Sequence, residues 1–181
     1  MGDHNLIWKA FFTFQGCINI PLIVVPPGGC GGQTTPALAA QMDLLPTVLD
    51  VCGVPMPGQE WQSRKTPFSR GAVQPLVTYP GKSWRPLWEG RQKQVRDAVV
   101  IENDDPTMGF RVRCLVTERY RLSIYPGLEE GELFDLQQDP DELHNRWSDP
   151  ACAGLRARLT AQLLDQYSAE TPWFPIPPWN A

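Results

Sequence analysis

The chain has 181 residues, which is enough for one domain with a hydrophobic core. Its formal net charge of −4 argues against a protein whose surface as a whole binds nucleic acid or an anionic membrane. No run of residues reaches the roughly 18 apolar positions that a membrane-spanning helix needs. We therefore expect neither nucleic acid nor a membrane as a partner.

The first 25 residues combine a polar cluster with an apolar run. Asp3, His4 and Lys9 supply a carboxylate, an imidazole and an ammonium group within seven residues. Residues 18–25 are mostly apolar and rich in β-branched side chains, and a Pro-Pro pair follows them, which predicts a buried strand. Because loops at strand ends are held by a rigid scaffold, the sequence predicts working side chains just before this strand.

Periodic patterns further along the chain predict two longer helices and four strands. In residues 42–53 apolar side chains recur at helical spacing and predict a buried face, at Leu45, Val48, Leu49 and Cys52. A proline suits the first turn, and Gly53 suits the end of the helix. The predicted strands cover residues 98–101, 110–116, 120–125 and 131–136. The second and third alternate apolar and polar residues, which predicts a hairpin with one buried face. Residues 139–142 predict a turn into a short helix that carries His144 on the surface. Residues 150–168 predict a helix whose apolar face covers one face of the sheet.

Residues 61–96 are unusually basic. They hold eight basic side chains against one acidic side chain, Glu89, with three tryptophans among them. Basic residues among aromatic ones can bind single-stranded nucleic acid or a sulfated or phosphorylated substrate. The alternative is a solvated loop that its tryptophans attach to the core. We favour this alternative because an acidic stretch follows.

The five cysteines are far apart in the sequence, at Cys17, Cys30, Cys52, Cys114 and Cys152. No C-x-x-C spacing predicts zinc, and the odd number predicts no disulfide framework. We expect free, mostly buried thiols, which suit a reducing compartment. The first residues do not have the pattern of a signal peptide, and the compartment stays open.

Three blocks of the sequence resemble type I sulfatases of the alkaline phosphatase superfamily. The first is similar to the pattern G-D-H-G-L-x-x-K-G-x-x-x-Y-x-G-x-x-R-V-P-L-I, with matches at Gly2, Asp3, His4, Lys9, Gly16, Pro21, Leu22 and Ile23. Residues 42–53 resemble D-L-L-P-T-L-L-D-L-A-G. Residues 111–145 resemble R-x-x-R-T-x-x-T-x-R-Y-R-L followed by G-E-L-Y-D-L-x-x-D-P-x-E-x-x-N. Asn5, Ala10 and Asn19 depart from the first pattern, which has glycine, glycine and arginine there.

The resemblance implies an α/β, alkaline-phosphatase-like fold of which this chain is the C-terminal part only. It predicts a remnant of the large central sheet and a small antiparallel sheet packed by a C-terminal helix. We divide the chain into a remnant of the catalytic domain with an irregular basic loop (1–95), a sheet-and-helix subdomain (96–170) and a Pro/Trp-rich tail (171–181). The aromatic side chains of the tail favour burial, either on the parent domain or in a homo-oligomer.

The resemblance also implies site residues. In the family the matching lysine contacts the sulfate group that is cleaved, so Lys9 is the expected catalytic and substrate-binding residue. An ammonium group there would neutralise charge on a tetrahedral oxyanion. His4 is a second substrate-binding candidate. Its alternative is a structural role, because the metal-binding Asp-His pair of the family belongs to a Ser-Asp-His-Gly block that this sequence does not contain.

The family uses a formylglycine nucleophile and a divalent cation, usually calcium or magnesium. No cysteine or serine of this chain lies in the C/S-x-P-x-R motif that forms formylglycine, and we expect no metal site in it. We therefore expect the C-terminal part of a hydrolase for small-molecule sulfate esters, with little turnover by this chain alone. The open alternatives are a phosphonate or phosphodiester hydrolase of the same superfamily, a non-catalytic interaction module, and a truncated product without function.

Overall fold

The computed structural model describes residues 3–6, 12–29, 32–56, 79–105, 107 and 109–170. They belong to two compact units. The first joins residues from the first 38 positions to residues 96–166, and the second joins residues between 39 and 95 to residues 167–170. Lys9, most of the basic segment and the tail 171–181 lie outside the described residues. The hypotheses about them, including the homo-oligomer, stay predictions.

The first unit is built on a four-stranded antiparallel sheet with the strand order β1-β2-β3-β4. Its strands are β1 (Ala98–Asp105), β2 (Phe110–Thr117), β3 (Tyr120–Ile124) and β4 (Gly131–Asp135). Short connections make each strand the neighbour of the next, because an antiparallel pair needs only a tight turn. All four predicted strands are confirmed, and β1 extends to Asp105.

Helix α4 (Ala153–Glu170) follows a short 3-10 turn and packs on one face of this sheet. The register places Leu122 directly opposite Leu115 on one side and Leu133 on the other. The buried residues of this layer are Ala98, Leu115, Leu122, Leu133, Cys152, Leu159 and Leu163. The predicted C-terminal helix and its packing face are confirmed. Among the described residues, no helix is long and apolar enough to cross a membrane.

The opposite face of the sheet is covered at its centre by the N-terminal segment. Successive side chains of a strand point to opposite faces, so Arg121 and Ser123 lie on the face away from α4. Thr13 is buried and shares a hydrogen bond of 2.8 Å with the hydroxyl of Ser123. Phe14 packs edge-on against Phe134, with ring centroids 6.1 Å apart. The centre of the hairpin therefore buries both faces, whereas its sequence pattern predicted one buried face.

The second unit contains helix α2 (Leu44–Val51), which confirms the helix predicted in residues 42–53. It ends before Gly53, whose left-handed φ of 66° is unstrained only for glycine. The buried face differs from the predicted one. Leu45 and Val48 are 44% and 50% exposed. The segment that contains Lys82 and Trp84 packs on the Asp43 side of the helix instead.

Asp43 holds that segment in place. Its side chain is fully buried and accepts hydrogen bonds from the backbone N–H of Ala40 and of Lys82, both at 2.8 Å. Trp84 is also buried and donates its indole N–H to the same carboxylate at 3.2 Å, just before the short helix α3 (Arg85–Trp88). For Trp84, this geometry agrees with the interpretation of the basic segment as a loop attached by its tryptophans, whereas Trp61 lies outside the described residues.

Residues 19–26 contradict one prediction. The short helix α1 (Gln15–Ile18) precedes them, and they belong to no strand or helix. Ile23 and Val25 are 89% and 84% exposed. A strand needs a neighbour to accept and donate its backbone hydrogen bonds, and the described residues place none beside this segment. The predicted buried strand is therefore wrong in this structure.

Candidate functional site

The N-terminal segment carries both predicted site residues, and the structure describes one of them. Lys9 lies outside the described residues. His4 lies in a short 3-10 turn and has a left-handed φ of 51°. Its ring stacks on Phe14, with centroids 3.8 Å apart and planes within 10° of parallel. The stacking gives His4 a packing role, and its contact with substrate stays a prediction.

Phe14 continues this stack into the sheet. The guanidinium carbon of Arg121 lies 4.9 Å from the ring centroid of Phe14 and 4.7 Å from that of Phe134. A cation over an aromatic face is attracted by the ring, by about 2 kcal/mol when water is excluded. The imidazole of His4, the two phenyl rings and the guanidinium therefore form one packed column.

Arg121 is also the centre of a buried polar network. Its side chain is fully buried, and Nη1 donates to the hydroxyls of Thr13 at 2.9 Å and Ser123 at 2.8 Å. Nη1 also donates to Oε2 of Glu132 at 2.7 Å, and Nε donates to Oε1 of Glu142. Nη2 is buried and has no hydrogen-bond partner among the described residues. Because a buried charge is costly unless it is paired, the two carboxylates are what keep this guanidinium inside the fold.

Glu142 connects the network to the backbone of the N-terminal segment. One of its carboxylate oxygens accepts from Arg121, and the other accepts from the backbone N–H of Gln15 at 2.6 Å. Its own backbone is left-handed, with φ at 54°. Such a conformation is uncommon for a residue other than glycine, asparagine or aspartate, so the hydrogen bonds of Glu142 must outweigh its cost.

The turn that contains Glu142 is held by Asp139. The carboxylate of Asp139 accepts from the backbone N–H of Leu143 at 3.0 Å and of His144 at 2.8 Å. Burial alone would raise the pKa of Asp139, but these two N–H groups lower it below its usual value. The short helix predicted here is wrong, because these residues form only a turn and the left-handed backbone of Glu142 cannot continue into a right-handed helix. The side chain of His144 is 81% exposed, which confirms the surface prediction.

The electrostatics of the network suit a structural role. Burial alone would lower the pKa of Arg121, but Glu132 and Glu142 raise it, so the guanidinium stays charged. Cys114 lies on the same side of the sheet, and burial raises the pKa of its thiol although Arg121 opposes this. A neutral buried thiol is a poor nucleophile. The network can hold the N-terminal segment rigidly, and it offers no reactive group of its own.

The described residues do not form a metal centre. Within that part of the chain, no group of three or more His, Cys, Asp or Glu side chains lies close enough to hold an ion. The divalent cation that the family resemblance implies therefore has no fit among these described residues.

Three residues of this network, Thr13, Arg121 and Glu142, were not selected from the sequence. The alternating pattern of β3 assigned Arg121 to the polar face, where an arginine is ordinary. Seven acidic residues follow Arg121 in the 111–145 block, and the usable signal was that the family pattern specifies Glu132 and Glu142 among them, since a buried arginine needs carboxylate partners.

Known proteins with similar sequences include sulfatases. The family described as "N-sulphoglucosamine sulphohydrolase, C-terminal" matches residues 2–169. The uncharacterized sulfatase YidJ of Escherichia coli K12 is 29% identical over 170 residues, covering 91% of this chain and 29% of YidJ. The Delta 4,5-hexuronate-2-O-sulfatase of Bacteroides thetaiotaomicron is 29% identical over 175 residues, covering 92% of this chain and 32% of that protein.

A solved structure shows the same fold. The phosphonate monoester hydrolase SpPMH from Silicibacter pomeroyi superposes with a TM-score of 0.57 and 25% identity, over 75% of this chain and 26% of that chain. The small antiparallel sheet and its C-terminal helix thus belong to an alkaline-phosphatase-like fold. The chain spans about three tenths of the length of the curated relatives it matches. Because the family match covers nearly the whole sequence, the chain belongs to the sulfatase family and corresponds to its C-terminal part.

Proposed function

We propose that this chain works as the C-terminal part of a sulfatase-type hydrolase that cleaves small-molecule sulfate esters. The observation that carries the proposal is the family match over residues 2–169, which includes the segment with Lys9. The name of the Bacteroides relative specifies a hexuronate sulfate. Only the general class, a sulfate ester, is extended to this chain.

The exposed apolar residues of the N-terminal segment support this proposal. Ile20, Ile23 and Val25 are 54%, 89% and 84% exposed, within a run that has the composition of a strand. Large contiguous apolar patches on a soluble protein usually mark a surface that another element covers. The relatives are about three times as long as the matched region. We propose that the remainder of a sulfatase domain covers this run.

Within the proposal, Lys9 contacts the sulfate group and stabilises the charge that develops on it. His4 is a weaker candidate for substrate contact, because its ring already packs on Phe14. The formylglycine nucleophile and the calcium or magnesium ion would come from polypeptide that this sequence does not include. The division at residues 95 and 170, and a homo-oligomer formed through the tail, remain parts of the proposal.

A phosphonate or phosphodiester hydrolase of the same superfamily is the second candidate. The similarity to a solved phosphonate monoester hydrolase favours it. A tetrahedral phosphonate and a tetrahedral sulfate present similar oxygens to a lysine, so Lys9 has the same role in both candidates.

The test is a chimera in which this chain replaces the corresponding part of a sulfatase relative such as YidJ. We expect hydrolysis of an aryl sulfate in preference to an aryl phosphonate. Lys9→Ala should lower kcat/KM about 100-fold or more, the usual loss when one transition-state charge contact is removed. Lys93→Ala, at an exposed position, is the matched control and should keep full activity.

Two results would change the proposal. Equal activities of the Lys9→Ala and Lys93→Ala chimeras would remove Lys9 from the catalytic site. A preference for the aryl phosphonate would favour the second candidate.

A further inference from the structure

We propose that Thr13 and Arg121 are positioning residues that fix the location of Lys9, an inference that rests on the catalytic role proposed for that lysine. Neither residue needs to touch the substrate. They act by fastening one end of the segment that carries Lys9 to the sheet.

The segment is closed at its base by the contact of His4 with Phe14. The two rings stack with centroids 3.8 Å apart, although nine residues separate them in the sequence. Lys9 lies midway, five residues from each. Because the ends of a short loop are tied together, the positions that its middle residue can reach depend on how firmly the base is held.

Three successive residues at this base are held, each in a different way. The hydroxyl of Thr13 bonds to Arg121 at 2.9 Å and to Ser123 at 2.8 Å. The ring of Phe14 lies 4.9 Å from the guanidinium carbon of Arg121. The backbone N–H of Gln15 donates to Glu142 at 2.6 Å. These partners belong to β3 and to the turn after β4, so the sheet and this turn fix the C-terminal end of the loop.

The charges of the network show why Arg121 acts indirectly. Its guanidinium is fully buried and faces two carboxylates, Glu132 and Glu142. A buried guanidinium whose positive charge is balanced by two carboxylates has little capacity to attract a sulfate group. Catalytic groups must be held within about 0.5 Å of their working position, and a fastened base is a means of doing so for a long lysine side chain.

The first test uses the 181-residue chain and the endoproteinase Lys-C, which cleaves after lysine. Thr13→Val removes the hydroxyl but keeps the side-chain shape, whereas Thr13→Ser retains the hydroxyl. We expect Thr13→Val to accelerate cleavage after Lys9 severalfold and to leave cleavage after Lys93 unchanged. Thr13→Ser and Thr107→Val, the latter at an exposed position, should cleave like the unmodified chain.

Each result of this test decides the question. Unchanged cleavage after Lys9 in Thr13→Val overturns the proposal. Faster cleavage after both lysines also overturns it, since the change then loosens the whole chain rather than the loop. Phe14→Leu provides a second variant, because it removes the stack with His4 and the contact with Arg121 together.

The second test is a double-mutant cycle in the YidJ chimera. We expect Thr13→Val to lower kcat at least tenfold, because a displacement of about 1 Å can cost 100-fold in rate. It should cause no further loss when Lys9→Ala is present, since it acts through that lysine. Multiplying losses would contradict the positioning role. If Lys9→Ala alone has no effect, the proposed function fails, while the Lys-C result still decides whether Thr13 fastens the loop.

Discussion

Arg121 and Glu142 form an ion pair whose side chains are 0% and 2% exposed, and this pair ties strand β3 to the turn that follows β4. Burying two charges is costly, so such a pair is weak evidence for stability by itself. Here Thr13 and the backbone N–H of Gln15 bond to the same two side chains. We infer that the pair selects one arrangement of turn, sheet and N-terminal segment.

Glu142→Gln should destabilise the first unit strongly. The change leaves the buried charge of Arg121 with Glu132 as its carboxylate partner, and breaking a buried pair on one side costs about 3 kcal/mol or more. Urea denaturation followed by circular dichroism measures the loss. Glu118→Gln, at an exposed position, is the control and should change stability by less than about 0.5 kcal/mol. Similar midpoints for the two variants would contradict the buried pair.

Acid should weaken the first unit partly through Asp135. Hydrogen bonds from Arg119, the shortest at 2.8 Å, lower the pKa of this carboxyl below its ordinary value of 3.8. A lowered folded-state pKa stabilises the fold above the unfolded-state pKa, and this stability is lost as the pH falls through the folded-state value. Melting temperatures between pH 6 and pH 2 should fall less steeply for Asp135→Asn than for the unmodified chain. Asp141→Asn, at an exposed position, should keep the original slope.

The sequence predicts the hairpin of β2 and β3 correctly because the pattern that specifies it is local. Alternation along each strand and a short turn specify both strands and their antiparallel pairing. The partners of Arg121 are not local, since Glu142 lies 21 residues away and Thr13 lies 108 residues away. No periodic pattern connects residues at such separations, so the buried network became visible only when the fold brought its parts together.

Residues 18–25 show the converse failure. Their composition is that of a strand, yet a strand exists only where a second strand supplies hydrogen bonds. Local preference therefore predicted a conformation that the described residues do not complete. Lys9 is predicted from a family motif rather than from periodicity, and it lies outside the described residues, so its role stays a prediction.

Ile23→Lys tests the surface formed by this run. Because Ile23 is 89% exposed, the substitution should change the free energy of unfolding of the isolated chain by less than about 0.5 kcal/mol. It should weaken association with the separately produced N-terminal part of a sulfatase relative, since a charge would enter an apolar interface. Leu128→Lys, at a position 66% exposed, is the matched control and should bind normally. Equal binding of both variants in a sedimentation assay would contradict the proposed covering surface.

Gly131, the first residue of β4, permits a close approach that any larger residue would prevent. A Cβ atom there would lie 2.7 Å from the backbone oxygen of Ser123 and 2.7 Å from the ring of Trp147. That ring is itself held, because its indole N–H donates to the backbone oxygen of Glu129 at 3.1 Å. Gly131→Ala should therefore lower the free energy of unfolding by about 1–3 kcal/mol, as overpacking usually does.

Gly154→Ala is the matched control in α4, where no atom lies within 4 Å of the added carbon, and it should stabilise the helix by up to about 1 kcal/mol. Urea denaturation of both variants measures the difference, and a change of the same sign in both would contradict the close packing at Gly131.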